Sequence, residues 1–80
     1  MIDDIRYLLV FARIVETGSV SSAAAALQLG AATVSAHLGK LERSMGTALL
    51  YRNTRKLSLT PAGAKLYASA QAMQQLYANE

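Results

Sequence analysis

Between Val20 and Met45, two stretches with the apolar spacing of helices are separated by only Gln28-Leu29-Gly30. Two helices joined by a turn of three or four residues containing glycine form a helix-turn-helix, and this break constrains the fold more than any other feature of the chain. The first stretch, about Val20 to Leu27, carries Ala23-Ala24-Ala25-Ala26, side chains small enough to let a neighbouring helix come close. The second, about Ala31 to Met45, puts Val34, Leu38, Leu41 and Met45 on one stripe, and Gly46 supplies its stop.

The flanking segments complete the pattern. Ile5, Leu8, Leu9, Ala12 and Val15 fall at helical spacing before Thr17-Gly18-Ser19, where glycine ends one helix and serine caps the next. After Gly46 the period shortens. Leu49 to Tyr51 and Lys56 to Leu59 read as two short strands around the turn-like Arg52-Asn53-Thr54-Arg55, with Leu57 and Leu59 facing inward. Thr60 then caps a last helix that has Pro61 at its first position, where a missing N–H costs nothing. Leu66, Ala70, Met73 and Tyr77 follow at spacings of four, three and four, the seam of a helix that pairs with another chain or packs on its own domain. The expected fold is mainly α: a winged helix-turn-helix of three helices, a small two-stranded wing and a long C-terminal linker helix. Residues 1–60 would form the helix-turn-helix domain and residues 61–80 a linker and dimerisation helix. That last helix has no stop signal, so the chain reads as truncated, with a further domain absent.

Composition narrows the function. Eighty residues make one domain at most, and with no cysteine and one histidine the chain offers neither a disulfide scaffold nor a metal cluster. The longest apolar stretch, Tyr7 to Ala12, is too short to span a bilayer, and Met1-Ile2-Asp3-Asp4 lacks the basic opening of a signal peptide, so a cytoplasmic protein with no membrane partner is expected. Charge is one-sided: residues 40–65 carry Lys40, Arg43, Arg52, Arg55, Lys56 and Lys65 against Glu42 alone. Such a distribution suits either a polyanion partner or a solvated basic surface. The carboxylates form no catalytic motif with His37 or a serine, and no glycine-rich phosphate loop is present, so neither an enzyme nor a cofactor is expected.

If Val34, Leu38, Leu41 and Met45 face the core, a turn of about 100° per residue sets Ala32, Ala36, Gly39 and Arg43 opposite, with Ser35 on the flank. Ser35 can bond a base edge or a phosphate, Ala32 and Ala36 can touch thymine methyl groups, and Gly39 admits close backbone approach. The first turn, at Ala31 and Ala32, offers unpaired N–H groups to a phosphate. Lys40 and Arg43 toward the end of this helix, and Arg52, Arg55 and Lys56 in or beside the wing, can reach phosphates or a narrow minor groove. Arg52 can equally bond carbonyls or pair with Glu42. Direct hydrogen-bonding readers are few, so sequence preference would lean on DNA shape and dimer spacing. His37 is read as a partly buried helix residue against Leu41 or the backbone, and Tyr7, Phe11 and Tyr67 as core or interface aromatics.

Gly18-Ser19-Val20, Ala23-Ala24 with Leu27, Val34-Ser35, Leu41-Glu42, Gly46 with Leu49-Leu50, Arg52, and Leu59-Thr60 with Ala62-Gly63 occur in the order and at the spacings of one known family. Over nearly its whole length the chain resembles the N-terminal DNA-binding domain of the LysR-type transcriptional regulators. The resemblance implies a cytoplasmic, nucleoid-associated regulator that binds double-stranded DNA as a homodimer through its last helix, with any small-molecule effector bound by the absent C-terminal domain. Gly30-Ala31-Ala32 stands where the family usually has a serine cap followed by glutamine and proline or serine, Ala36 where a longer side chain is common, and Leu50 where phenylalanine is usual. Two readings stay beside this one: a winged helix that binds another protein, and a winged-helix regulator of another family, such as the multidrug-resistance type.

Overall fold

The computed structural model describes residues 2–52 and 57–78, with side chains described for 5–51 and 57–76. Helix α1 (Ile2–Thr17) is followed by α2 (Val20–Leu27) and α3 (Ala31–Met45), then by strands β1 (Leu50–Arg52) and β2 (Leu57–Leu59) and by helix α4 (Pro61–Ala78). The strands pair antiparallel, with Leu50 opposite Leu59, Tyr51 opposite Ser58 and Arg52 opposite Leu57. This is the winged helix-turn-helix that the sequence leads one to expect. Two helix ends show why the breaks fall where they do. Ser19 caps α2 by accepting the Ser22 N–H at 3.0 Å, and Gly46 closes α3 at φ +74°, a conformation that side chains disfavour. The end of α2 needs no glycine: Gln28 itself takes the left-handed turn at φ +59°, and its N–H returns to the Ala25 carbonyl at 3.3 Å.

The core lies where α1, α2 and α3 meet, closed from below by the wing and α4. Phe11, Ile14, Val34 and Leu49 are wholly buried, with Val10, Leu38, Leu41 and Leu50 nearly so. Ala23 and Ala24 are buried among them, while Ala25 and Ala26 of the same run face outward. The small buried pair leaves room for the bulky residues of α1 and α3 to approach α2. Phe11 meets Tyr67 of α4 edge to face, with ring centroids 6.5 Å apart.

Three expectations need correction. On α1 the face that enters the core is Val10, Phe11 and Ile14; of the stripe Ile5, Leu8, Leu9, Ala12 and Val15 only Ala12 is buried, and Ile5 is 46% exposed. Helix α1 is apolar nearly all round because α2, α3 and α4 each cover part of it, so spacing alone does not single out one face. Met45 keeps the angular position of the α3 stripe but lies beyond the last core layer at Leu41 and is 47% exposed. Strand β1 starts at Leu50 and not at Leu49, because the Leu49 N–H is engaged by the Glu42 carboxylate, Oε2 accepting at 2.8 Å. Leu57 and Leu59 are half-buried and Ser58 is exposed, the inward alternation expected of the second strand; Lys56 lies outside the described residues.

The stripe on α4 divides between two jobs. Ala70 is wholly buried by its own chain and Leu66, partly exposed, packs against the core, so this half of the seam seats α4 on α1. Met73 is half-buried, Leu76 is 70% exposed, and the Tyr77 side chain lies outside the described residues.

The joint between α4 and the rest is built around Thr60. Its hydroxyl donates to the Ala48 carbonyl at 2.8 Å and accepts the Gly63 N–H at 3.0 Å, while its own N–H donates to the Leu49 carbonyl at 3.1 Å. Gly63 follows from that closeness: a Cβ there would overlap the Leu49 carbonyl oxygen and come within 3.2 Å of Leu59 Cδ2. Because the obstacle is backbone, it cannot swing aside. Gly63→Ala is therefore expected to destabilise the chain by about 1–3 kcal/mol in urea denaturation, despite alanine's better helix propensity. An unchanged or raised midpoint would mean that α4 does not start against Leu49.

Candidate nucleic-acid interface

Packing decides which side of α3 stays open. Val34, Leu38 and Leu41 are buried, and Ala31, Ala32, Ser35, Ala36, Lys40 and Arg43 are exposed on the other flanks, with Gly39 half-buried between them. The α3 residues picked out by the wheel thus lie together on a solvent-facing strip about three turns long. The strip is low: two alanines and a glycine set its height, and a Cβ at Gly39 would meet nothing within 4 Å. Its start carries no side-chain cap, because the N-cap is Gly30, so the first-turn amides of α3 face solvent without a hydroxyl over them. Thr33, which the sequence reading passed over, is also exposed on that first turn and adds a hydroxyl to a strip poor in polar groups. Its position early in an uncapped helix was the available signal.

Along the side toward the wing, Gly39, Glu42, Arg43, Gly46, Thr47 and Ala48 line a shallow open groove. Glu42 turns away from the strip to hold Leu49, which leaves the acidic side chain nearest to Arg43 in a structural role. Arg52 ends β1, placing its backbone at the edge of the wing; its side chain, and the whole of Arg55 and Lys56, lie outside the described residues. Ser21 and Ser22 expose two further hydroxyls at the start of α2.

One contribution to this region comes from outside the helix-turn-helix. Tyr7 of α1 packs its ring on that of His37, centroids 4.8 Å apart at 45°, and the Lys40 ammonium lies 5.8 Å from the same ring centroid. His37 is thus the partly buried helix residue expected, packed on an aromatic of α1, and its Nδ1 is buried without a hydrogen-bond partner among the described residues. No pattern in the sequence joins positions 7, 37 and 40, because α1 and α3 meet only in the folded chain. Among the described residues there is no cluster of metal-binding side chains, and no single helix is long and apolar enough to cross a membrane.

An open helix beside a two-stranded wing, carried on a helix-turn-helix, defines a nucleic-acid-binding class of fold. Comparison with known proteins gives the family. Residues 5–64 match the profile described as bacterial regulatory helix-turn-helix protein, lysR family, and the chain belongs to that family. It is similar to the HTH-type transcriptional regulator CrgA of Neisseria meningitidis serogroup B, with 45% identity over 64 residues that make up 80% of this chain and 21% of CrgA. It is also similar to the HTH-type transcriptional activator BauR of Pseudomonas aeruginosa, with 39% identity over 70 residues, 88% of this chain and 23% of BauR. The chain spans about a fifth of the length of such relatives. Among solved structures it superposes on the BenM DNA-binding domain in complex with catB site 1 DNA, at a TM-score of 0.87 and 29% identity over 94% of this chain and 84% of that one. The DNA-bound CbnR DNA-binding domain matches at a TM-score of 0.83 and 28% identity, over 94% of this chain and 86% of that one.

The open space at Gly39 yields a test of the strip. Gly39→Ala adds a methyl to an exposed helix interior without a clash, and should raise stability by about 0.5–1 kcal/mol in urea denaturation. A fall in stability would mean that this face of α3 is covered.

Proposed function

We propose that this chain is the DNA-binding part of a bacterial LysR-type transcription regulator, placing α3 in the major groove of double-stranded DNA and binding as a homodimer. The observation that carries the reading is the low, solvent-facing strip Ala32, Ser35, Ala36, Gly39 and Arg43, unobstructed along its length and bordered by Lys40. A helix this bare can lie deep in a groove, its alanines against thymine methyl groups and Ser35 on a base edge or a phosphate. The DNA complexes of the BenM and CbnR domains, which share this fold, support the placement. The bare first turn at Ala31 and Ala32 suits a phosphate, and Arg43, Arg52, Arg55 and Lys56 would hold the backbone on the wing side.

Labour divides at Thr60 in this reading. Residues 1–60 hold DNA. Residues 61–80 carry the pairing helix, with Leu66 and Ala70 anchoring it to its own domain and Met73, Leu76 and Tyr77 meeting a second copy. Exposure of Leu76 at 70% supports a partner over that part of α4. The whole protein would act as a regulator in the cytoplasm and not as an enzyme. A small-molecule effector would belong to a further domain, as the LysR-type regulator LysG of Corynebacterium glutamicum is seen with bound effector Arg.

Selection from a random duplex pool should recover an interrupted palindrome. Affinity for that site should fall steeply with salt, and Arg55→Ala should make the slope shallower by about one unit as one phosphate contact is lost. Gly39→Ala should bind the selected site more weakly than the parent while being more stable, since its methyl would stand between α3 and the groove. No enrichment, with no duplex binding even at low salt, would overturn the reading in favour of a protein partner.

A further inference from the structure

We infer that Tyr7 of α1 is a positioning residue for DNA binding: its ring holds the Lys40 ammonium at the flank of α3 in the orientation from which it reaches a phosphate. The inference rests on the DNA-binding reading above and adds to it a residue outside the helix-turn-helix.

Lys40 is exposed and lies one turn after His37 on the side of α3 that faces α1. Tyr7 bridges that turn, its ring packed on His37 at 4.8 Å between centroids and 5.8 Å from Lys40 Nζ. The second distance lies within reach of a cation–π attraction, which draws an ammonium to the negative face of an aromatic ring. Half-buried against the core, Tyr7 has its backbone fixed by α1 and its ring backed by the His37 imidazole, so it offers a rigid platform.

The chemistry of the platform matters. A carboxylate would hold a lysine more firmly but would cancel its charge, and neutralisation of a DNA phosphate depends on that charge. An aromatic ring restrains the flexible four-carbon stem and leaves the full positive charge, together with N–H donors, free for an anion. Among the described residues Lys40 shares no ion pair with a carboxylate; the charged pair lies elsewhere, between Arg13 and Glu16. Restraint before binding lowers the ordering cost that a free lysine meets at a phosphate. The Tyr7–His37 pair on the α1 side of α3 thereby complements Arg43, which borders the groove on the wing side.

A double-mutant cycle on the selected duplex tests this. Tyr7→Leu, which removes the ring, should weaken binding about two- to five-fold, the range of an exposed cation–π contact. Tyr7→Phe should retain parental affinity. In a Lys40→Met background, Tyr7→Leu should have no further effect, and Lys40→Met alone should make the salt slope shallower by about one unit. Because Tyr7→Leu can also loosen the fold, phenylalanines of increasing fluorination at position 7 provide a second series: affinity should fall stepwise as the ring loses its negative face, with thermal midpoint held constant. Equal losses from Tyr7→Leu in both backgrounds, tighter binding on removal of the ring, or indifference to fluorination would each overturn the inference. If Lys40→Met leaves affinity and salt slope unchanged while Arg43→Ala weakens binding, the positioning role fails and the DNA-binding reading stands. If none of these changes alters duplex binding because there is none, it is the DNA-binding reading that fails.

Discussion

Everything on the DNA side of this domain hangs on the peptide of Leu49. Its N–H is held by the Glu42 carboxylate of α3 and its carbonyl by the Thr60 N–H at the start of α4. Hydrogen bonds to a charged acceptor contribute about 1.5–3 kcal/mol, more than a neutral pair, and this one ties a helix to the strand that follows it. Thr60 then closes the knot through Ala48 and Gly63. Thr60 is 7% exposed, so its bond to the Gly63 N–H operates where water competes weakly. Helix α3, the start of β1 and α4 are thereby tied at one junction.

That knot also accounts for several residues by which the chain is recognised as a LysR-type domain. Glu42 after Leu41, Gly46 before Leu49-Leu50, and Thr60 with Gly63 are the carboxylate, the left-handed turn, the buried peptide and the capped close approach of one junction. Glu42 and Gly46 also border the groove beside Gly39 and Arg43, so the junction forms one edge of the open strip.

The bareness of the strip shapes how sequence is read in the proposed complex. With Ser35 and Thr33 as its small polar groups and methyls or hydrogen over the rest, α3 fits a groove better than it interrogates one. Discrimination then depends on groove width, on the deformability of the site and on the spacing between two copies. In that complex the cations at the two borders, Lys40 toward α1 and Arg43 toward the wing, would fix the register of the helix on the backbone.

Local chemistry made the elements legible. A glycine-containing break between two apolar periods, a proline after a threonine, and a shift from period 3.6 to period 2 are local rules, and they located all six elements to within a few residues at their ends. The wheel of α3 was equally legible because only one of its faces is apolar. Where more than one neighbour competes for a residue, local rules stop. The buried side of α1 was misread because three helices cover it, and Met45 because the core ends one turn earlier; the spacing on α4 left open whether its own domain or a partner covers the stripe, and burial gives Ala70 to its own domain. Sequence by itself determined the fold, the open face of α3 and the basic character of its surroundings, since each depends on residue type and spacing along one helix or turn. Only the tertiary structure decided which side of α1 is core, how α4 is anchored at Leu49, and that Tyr7 stands beside Lys40, since each depends on elements distant in the chain coming to rest against each other.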